Sequence, residues 1–152
     1  MLVEYKTGNL LNSDADALVN AVNRRGFMGA GIALAFKNKF PEMYESYKQL
    51  CAEGAYKDSQ ITFYTYPKNK FNGVCIINLQ TVDDNLVGQY SLIKEGLQQL
   101  ANQVQQDNMK TIAIPPLGCG IGGLDKKIVH TMIIDAFADV KVTLYLYNFN
   151  ED

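Results

Sequence analysis

The sequence predicts a three-layer α/β sandwich, with helices on both faces of one sheet. Two observations indicate this class. Apolar runs of strand length alternate with helical patterns along the chain. In addition, two glycine-rich stretches, Gly26 to Gly31 and Gly118 to Gly123, each follow an apolar run and precede a helical pattern. Loops that connect strands to helices in open α/β sheets have this composition.

The first half of the chain begins with two short apolar runs, and the second of them, residues 17–22, is nearly continuous, as buried strands are. Pro41 then separates two helical patterns, and Met43, Tyr47 and Leu50 form one apolar stripe on the second. Alternating β-branched and aromatic residues follow on both sides of a turn at residues 67–69. The predicted elements are strands at 1–5, 17–22, 61–66 and 73–79, and helices at 30–40 and 42–51.

The second half of the chain continues the alternation. Apolar residues at helical spacing predict a helix over 90–104, and a buried strand follows at 110–114. Asp125 has the position of an N-cap for a helix that ends near Phe137. A strand at 142–147 completes the sheet, and no internal repeat or linker interrupts the pattern.

Composition limits the classes of function. The 152 residues are 47% hydrophobic and 20% charged, which is typical of one globular domain. The net charge of −2 gives no footprint for strong binding to a nucleic-acid backbone. One histidine and unpaired cysteines provide no zinc site, so no metal is expected.

The cysteines also bear on location. Cys51, Cys75 and Cys119 are scattered and odd in number, which favours reduced thiols in a cytoplasm over a disulfide framework. No apolar run approaches the roughly 18 residues that a membrane span needs, and the first residues lack a signal-peptide pattern. We therefore expect a cytoplasmic protein with no membrane partner.

The paired glycine stretches are the strongest functional signal. Glycine lets backbone N–H groups approach an anion closely, and the N-terminus of the following helix adds partial positive charge. One such loop indicates a phosphate. Two in one small domain indicate a diphosphate that is held from both sides.

A dinucleotide-binding site is the alternative, because Gly118, Gly120 and Gly123 match the G-x-G-x-x-G spacing. That motif also requires an acidic residue at the end of the next strand. Here the strand at 142–147 is followed by Asn148 and Phe149, so a dehydrogenase is disfavoured. A P-loop is excluded, since neither stretch leads into Gly-Lys-Ser/Thr.

Polar residues near strand ends are candidates for chemistry. Asn20 and Asn23 are either turn residues or amides directed at a sugar or a water. Asp83 and Asp84 follow a strand as well, and are either solvated loop residues or catalytic groups. Cys119 is favoured as a small loop residue rather than a nucleophile.

Three further residues allow two interpretations. Phe27 and Met28 could plug the core or cover a sugar. His130 falls within a helix and is favoured as a surface residue rather than a general base.

Three segments together resemble the macrodomains, a family that binds ADP-ribose and its derivatives. The first runs from Thr7 to Leu11 and from Asp16 to Asn23, the second from Gly26 to Lys37 with Phe40-Pro41, and the third from Ile114 to Asp125. The forms Met-Gly-x-Gly-Ile-Ala and Gly-Gly-Leu-Asp are most similar to the branch of DNA ADP-ribosyl glycohydrolase antitoxins and ADP-ribose 1″-phosphate phosphatases.

This resemblance implies a single macrodomain over residues 1–152 with a mixed six-stranded sheet. It places adenine near Asn9 and Phe149, the diphosphate between the two glycine loops, and the distal ribose beside Asn20, Asn23 and Phe27. The substrate-binding residues that it implies are Asn9, Phe27, Met28, Gly29, Ala30, Gly31, Ile32, Leu117, Gly118, Cys119, Gly120, Ile121, Gly122 and Phe149.

Three positions depart from the family pattern. Asn9 stands where aspartate usually receives the adenine amino group, so that contact keeps an acceptor and loses its charge. Val82 stands where the glycohydrolase branch carries a catalytic lysine. Gly122 stands where related hydrolases carry an aspartate.

The resemblance therefore predicts a hydrolase that acts at the distal ribose of ADP-ribose derivatives, with no cofactor. Its substrate is ADP-ribose 1″-phosphate or an ADP-ribosylated macromolecule, in a bacterial cell or a phage-infected host. The predicted catalytic residues are Asn23, Asn20, Asp83 and Asp84, with a substrate phosphate oxygen as an alternative base. The rival prediction is a reader that binds ADP-ribose without turnover.

Overall fold

A computed structural model describes residues 1–150. Its single sheet has six strands in the order β1-β6-β5-β2-β4-β3, and only β3 runs antiparallel to its neighbour. The strands are β1 (Leu2–Lys6), β2 (Ala17–Val22), β3 (Ile61–Thr65), β4 (Cys75–Gln80), β5 (Thr111–Ile114) and β6 (Thr143–Tyr147). The predicted α/β class with a mixed sheet is thereby confirmed.

Four α-helices cover the two faces of this sheet in pairs. They are α1 (Gly31–Lys39), α2 (Pro41–Ala52), α3 (Tyr90–Asp107) and α4 (Lys126–Ala136). Pro41 occupies the first turn of α2, where its missing N–H removes no hydrogen bond. The predicted N-cap is also present, since the Asp125 carboxylate accepts a hydrogen bond from the Lys127 N–H at 2.8 Å.

Alternation along β2 separates two hydrophobic cores. Ala17 and Val19 join the core under α3 and α4, whereas Leu18 and Val22 join the core under α1 and α2. Because β2 is central and parallel to both neighbours, its carboxyl end lies beside those of β4 and β5. The loops that follow these three strands therefore meet at one edge of the sheet.

Short 3-10 helices, which the sequence patterns do not predict, occur at Leu10–Asn12, Ala55–Lys57 and Phe71–Gly73. Within residues 1–150, no helix is long and apolar enough to span a bilayer.

Candidate functional site

Two adjoining cavities form one cleft over the carboxyl ends of β2, β4 and β5. The inner cavity, of about 390 Å³, is enclosed by Asn23, the residues 27–33, the loop after β4 and the second glycine loop. The outer cavity, of about 460 Å³, is bordered by Asn9, Lys126 and Asn148. Both cavities share the walls formed by Ile32, Pro116 and Gly120. The cleft is thus elongated, and its waist lies between the first turn of α1 and the second glycine loop.

The first glycine loop presents unpaired backbone donors to the inner cavity. Ala30 is the N-cap of α1 and its side chain makes no capping hydrogen bond. The N–H groups without an acceptor among the described residues are those of Gly29, Ala30, Gly31 and Ile32. These free donors and the partial positive charge of the helix end make an anion site.

The second glycine loop presents another row of donors to the same cavity. Within residues 1–150, no atom accepts from the N–H groups of Gly120, Ile121 and Gly122. Their positions are fixed by two hydrogen bonds of about 3.0 Å, Leu124 N–H to the Gly118 carbonyl and Gly88 N–H to the Gly122 carbonyl. A Cβ at Gly122 would lie 2.6 Å from the Gly118 oxygen, so close packing of backbone requires glycine here.

Asn23 lies in the wall of the inner cavity and organises the first loop. Its Oδ1 accepts hydrogen bonds from the N–H groups of Arg25 and Gly26, and its Nδ2 donates to the Phe27 carbonyl at 2.9 Å. The buried Tyr47 hydroxyl donates to both the carbonyl oxygen and Oδ1 of Asn23. The structure therefore places Asn23 in the wall of the cavity and also makes it the main support of residues 23–27.

Asn20 lies below the cleft and is fully buried. Its Nδ2 donates to the Asn78 side chain at 3.1 Å and contacts the Met28 sulfur, and its Oδ1 has no partner within the described residues. Alternation explains this position, because residue 20 shares a sheet face with Leu18 and Val22. Asn20 therefore supports Met28 from below, and it lines neither cavity.

Asp83 and Asp84 do not line the inner cavity. The Asp83 carboxylate accepts hydrogen bonds from the Val87 N–H at 3.0 Å and from Gln89 Nε2 at 2.8 Å, which lower its pKa. Asp84 forms a bidentate ion pair with Arg24 at 2.7 and 2.8 Å, and this guanidinium lowers the pKa of Asp84. Both carboxylates are held as weak bases outside the cavity, so the structure does not support a catalytic base at either.

The residues predicted for adenine separate in the structure. Asn9 borders the outer cavity, where its Oδ1 accepts a hydrogen bond from the Leu11 N–H and caps a 3-10 turn. Phe149 packs on the core with its ring 5.8 Å from that of His130, and it borders neither cavity. The Asn148 side chain instead borders the outer cavity and hydrogen-bonds both backbone groups of Gly8.

The remaining predicted residues divide between the cleft and the core. Phe27, Met28 and Gly118 line the inner cavity, and Cys119 lines the outer cavity, where burial raises the pKa of its thiol. Leu117 is wholly buried beneath the loop. His130 is a surface residue, as predicted, with Nε2 2.7 Å from the Tyr5 hydroxyl.

The inner cavity is electrically neutral in its side chains. Among residues 1–150, none of those that line it is an Asp, Glu, His, Lys, Arg, Cys or Tyr. The described chain also brings together no group of three His, Cys, Asp or Glu side chains that could hold a metal ion. An anion in this cavity would therefore be held by backbone dipoles and by the neutral polar side chains of Asn23 and Thr81, without an ionised group.

Sequence reasoning missed several residues that shape the cleft. Leu86 lines the inner cavity from a left-handed backbone conformation, at φ +62°, and Pro116 joins the two cavities. The sequence pattern places Tyr47 only on an apolar stripe, although its hydroxyl supports Asn23. A tyrosine on a buried helical stripe needs a polar partner, and this was the available signal.

The structure is a mixed sheet between helices, with an elongated cleft over the carboxyl ends of its strands. The chain belongs to the macrodomain family, since the Macro domain model matches residues 19–133. It is 35% identical over 149 residues to a DNA ADP-ribosyl glycohydrolase of Mycobacterium tuberculosis, covering 95% of this chain and 42% of that protein.

Two further comparisons agree with this membership. The solved macrodomain of Mycobacterium tuberculosis DarG matches with a TM-score of 0.85 and 34% identity, over 96% of this chain and 97% of that one. An ADP-ribose 1″-phosphate phosphatase of Meyerozyma guilliermondii is 36% identical over 67 residues, which cover 42% of this chain and 38% of that protein. The chain thus spans less than half the length of the glycohydrolase and of the phosphatase.

Proposed function

We propose that this macrodomain binds ADP-ribose derivatives in the cleft and hydrolyses a bond at the 1″ position of the distal ribose, either the phosphorus–O1″ bond of a 1″-phosphate or the bond from C1″ to a macromolecule. One observation carries the proposal: two rows of unpaired backbone N–H groups, at residues 29–32 and 120–122, line the same cavity. Such donors match a diphosphate, which accepts hydrogen bonds on every side. The names of the relatives, a glycohydrolase and a phosphatase, support a hydrolase.

The two cavities match the two ends of such a ligand. The diphosphate would lie at the waist, with adenosine in the outer cavity beside Asn9 and the distal ribose in the inner cavity beside Asn23 and Phe27. Backbone donors already fixed by the loops would hold the C1″ end still. This positioning contributes to rate without any charged side chain.

The lack of a titratable side chain among the described residues of the inner cavity favours hydrolysis of a phosphate ester. Because no titratable side chain of residues 1–150 lines the inner cavity, a water attacking the 1″-phosphorus would give a proton to an oxygen of the substrate phosphate. The bond between phosphorus and O1″ then breaks, O1″ takes up this proton, and ADP-ribose and inorganic phosphate leave. Val82 occupies the position where lysine assists glycosidic cleavage in the branch that this chain resembles, so that reaction has less support.

A reader without turnover is the second candidate, and the same neutral cavity favours it. The chain would then recognise free or macromolecule-linked ADP-ribose through the two loops only. Cys51, Cys75 and Cys119 are free thiols, which supports the cytoplasm of a bacterial cell or phage-infected host as the proposed location of either activity.

Incubation with ADP-ribose 1″-phosphate, ADP-ribosylated protein and ADP-ribosylated DNA separates these candidates. Release of phosphate or ADP-ribose that Asn23→Ala abolishes and Asn102→Ala preserves would support the hydrolase. Asn102 is a matched control because it is exposed on α3. Tight binding of ADP-ribose with no turnover of the three substrates would leave the reader, and no binding at all would refute both.

A further inference from the structure

A groove of about 550 Å³ lies beside the inner cavity and is bordered by three cations, Arg24, Arg25 and Lys57. We call it the basic groove. It shares two loops with the inner cavity. In the first loop, Asn23 and Phe27 line the cavity, whereas the intervening Arg24 and Arg25 line the groove. In the loop after β4, Leu86 lines the cavity and Asp84 lines the groove.

The cations of the basic groove are partly fixed and only partly neutralised. The Arg24 guanidinium donates hydrogen bonds to both carboxylate oxygens of Asp84. The Arg25 guanidinium carbon lies 5.2 Å from the centre of the Phe27 ring, which lines the inner cavity. Within residues 1–150, neither Arg25 nor Lys57 forms an ion pair.

These charges stand out against the rest of the protein. The groove carries three cations and one carboxylate, whereas the whole chain has a net charge of −2. Concave walls concentrate the field of such a group. The inner cavity next to it is neutral, so this groove would offer side-chain cations to an anion joined to C1″ of a bound ribose.

We propose that the basic groove is a second phosphate-binding subsite, which takes a phosphate belonging to the group attached at C1″. This inference rests on the proposed function, because it requires ADP-ribose in the cleft. Guanidinium groups suit phosphate because their planar fork donates two parallel hydrogen bonds. Arg25 and Lys57 supply the free charge, and the Arg24–Asp84 pair fixes the edge of the groove.

Two sources share this chemistry. One is a terminal phosphate directly on C1″, and the other is a phosphodiester of a nucleic-acid strand that carries the ADP-ribose. Two cations would neutralise only one or two phosphates of a strand. Such limited contact needs no broad basic surface, in agreement with the net negative charge of the chain.

The test compares two double variants that remove equal charge. Arg25→Gln/Lys57→Gln empties the groove of its free cations. Lys37→Gln/Lys48→Gln is the matched control, because these lysines lie against Tyr44 on the surface of α1 and α2. The dissociation constants of ADP-ribose, ADP-ribose 1″-phosphate and a short ADP-ribosylated single-stranded oligonucleotide are measured for each protein, together with the melting temperature.

We expect the groove variant to bind at least one of the two ligands with an added phosphate at the 1″ side roughly tenfold or more weakly than wild type does. It should bind plain ADP-ribose within about twofold of wild type. The control variant should bind all three ligands within about twofold of wild type. An effect on the 1″-phosphate alone identifies the terminal phosphate as the source. An effect on the oligonucleotide alone, with a salt slope lowered by about 1 per cation removed, identifies the phosphodiester.

Two results would overturn the subsite. Equal weakening of all three ligands by the groove variant would show a general effect on the cleft, and unchanged affinities would show that the cations touch no ligand. Wild-type protein that binds ADP-ribose normally in either case leaves the proposed function intact. Wild-type protein that binds no ADP-ribose refutes the proposed function itself.

Discussion

Substitution of Gly122 by alanine should weaken ligand binding while the protein still folds. A Cβ added at Gly122 would lie 2.6 Å from the carbonyl oxygen of Gly118, and both residues belong to the loop that presents the second row of donors. An ordinary contact needs about 3.4 Å or more. Gly122→Ala therefore forces the loop backbone to move by about 0.8 Å, the difference between these distances.

A shift of this size takes a hydrogen bond of about 2.9 Å to about 3.7 Å, beyond the range of real hydrogen bonds. Losing one bond to a charged acceptor costs about 1.5–3 kcal/mol. Since every 1.4 kcal/mol is about a factor of ten in the dissociation constant, Gly122→Ala should bind ADP-ribose roughly 10- to 100-fold more weakly. Isothermal titration calorimetry measures the affinity, and thermal unfolding checks that the protein is folded.

Gly96→Ala is the matched control outside the cleft. A Cβ at Gly96 would lie 2.8 Å from the Leu79 side chain, in the core under α3, and Gly96 lines neither cavity. This variant should lower the melting temperature but leave the backbone donors in place, so we expect affinity within about threefold of wild type. Folded Gly122→Ala protein with unchanged affinity, or equal losses in both variants, would refute the reasoning that donor placement carries the binding energy.

Three substitutions and one pH profile test the remaining assignments. Tyr47→Phe leaves the Asn23 carbonyl without its buried donor and should lower the free energy of unfolding by about 1–2 kcal/mol, measured by urea denaturation. Asp84→Asn should preserve turnover within a few fold in a phosphate-release assay, whereas a catalytic base would lose nearly all of it. Val82→Lys adds an ammonium to the inner cavity and should raise ADP-ribose release from modified DNA about tenfold or more; unchanged release would contradict this. The pH profile of 1″-phosphate turnover should show one inflection near the phosphate pKa of about 6, and a second one would reveal a protein base.

The sequence was sufficient for the fold because each signal there is local. Apolar alternation, the N-cap at Asp125 and the proline that begins α2 depend on neighbours within a few residues. The unpaired donors of the two glycine loops were predictable for the same reason, since glycine before a helix exposes backbone donors whatever the surrounding fold.

The rest of the site depends on contacts between distant parts of the chain. The Arg24–Asp84 pair joins residues 60 positions apart, and the loop containing Asp83 turns its carboxylate towards its own backbone. Neither arrangement follows from the run Val82-Asp83-Asp84, which only indicates a polar loop. The burial of Asn20 was within reach, because period-two alternation puts it on the face of Leu18 and Val22.

The most direct test of the diphosphate site is a titration of isotope-labelled protein with ADP-ribose, followed by the backbone amide resonances. We expect the largest shifts at residues 29–32 and 120–122, which carry the two rows of unpaired donors, with smaller shifts at Asn9 and Asn23. Binding that shifts only one of these loops, or that shifts amides elsewhere and leaves both loops unchanged, would contradict a diphosphate held from both sides.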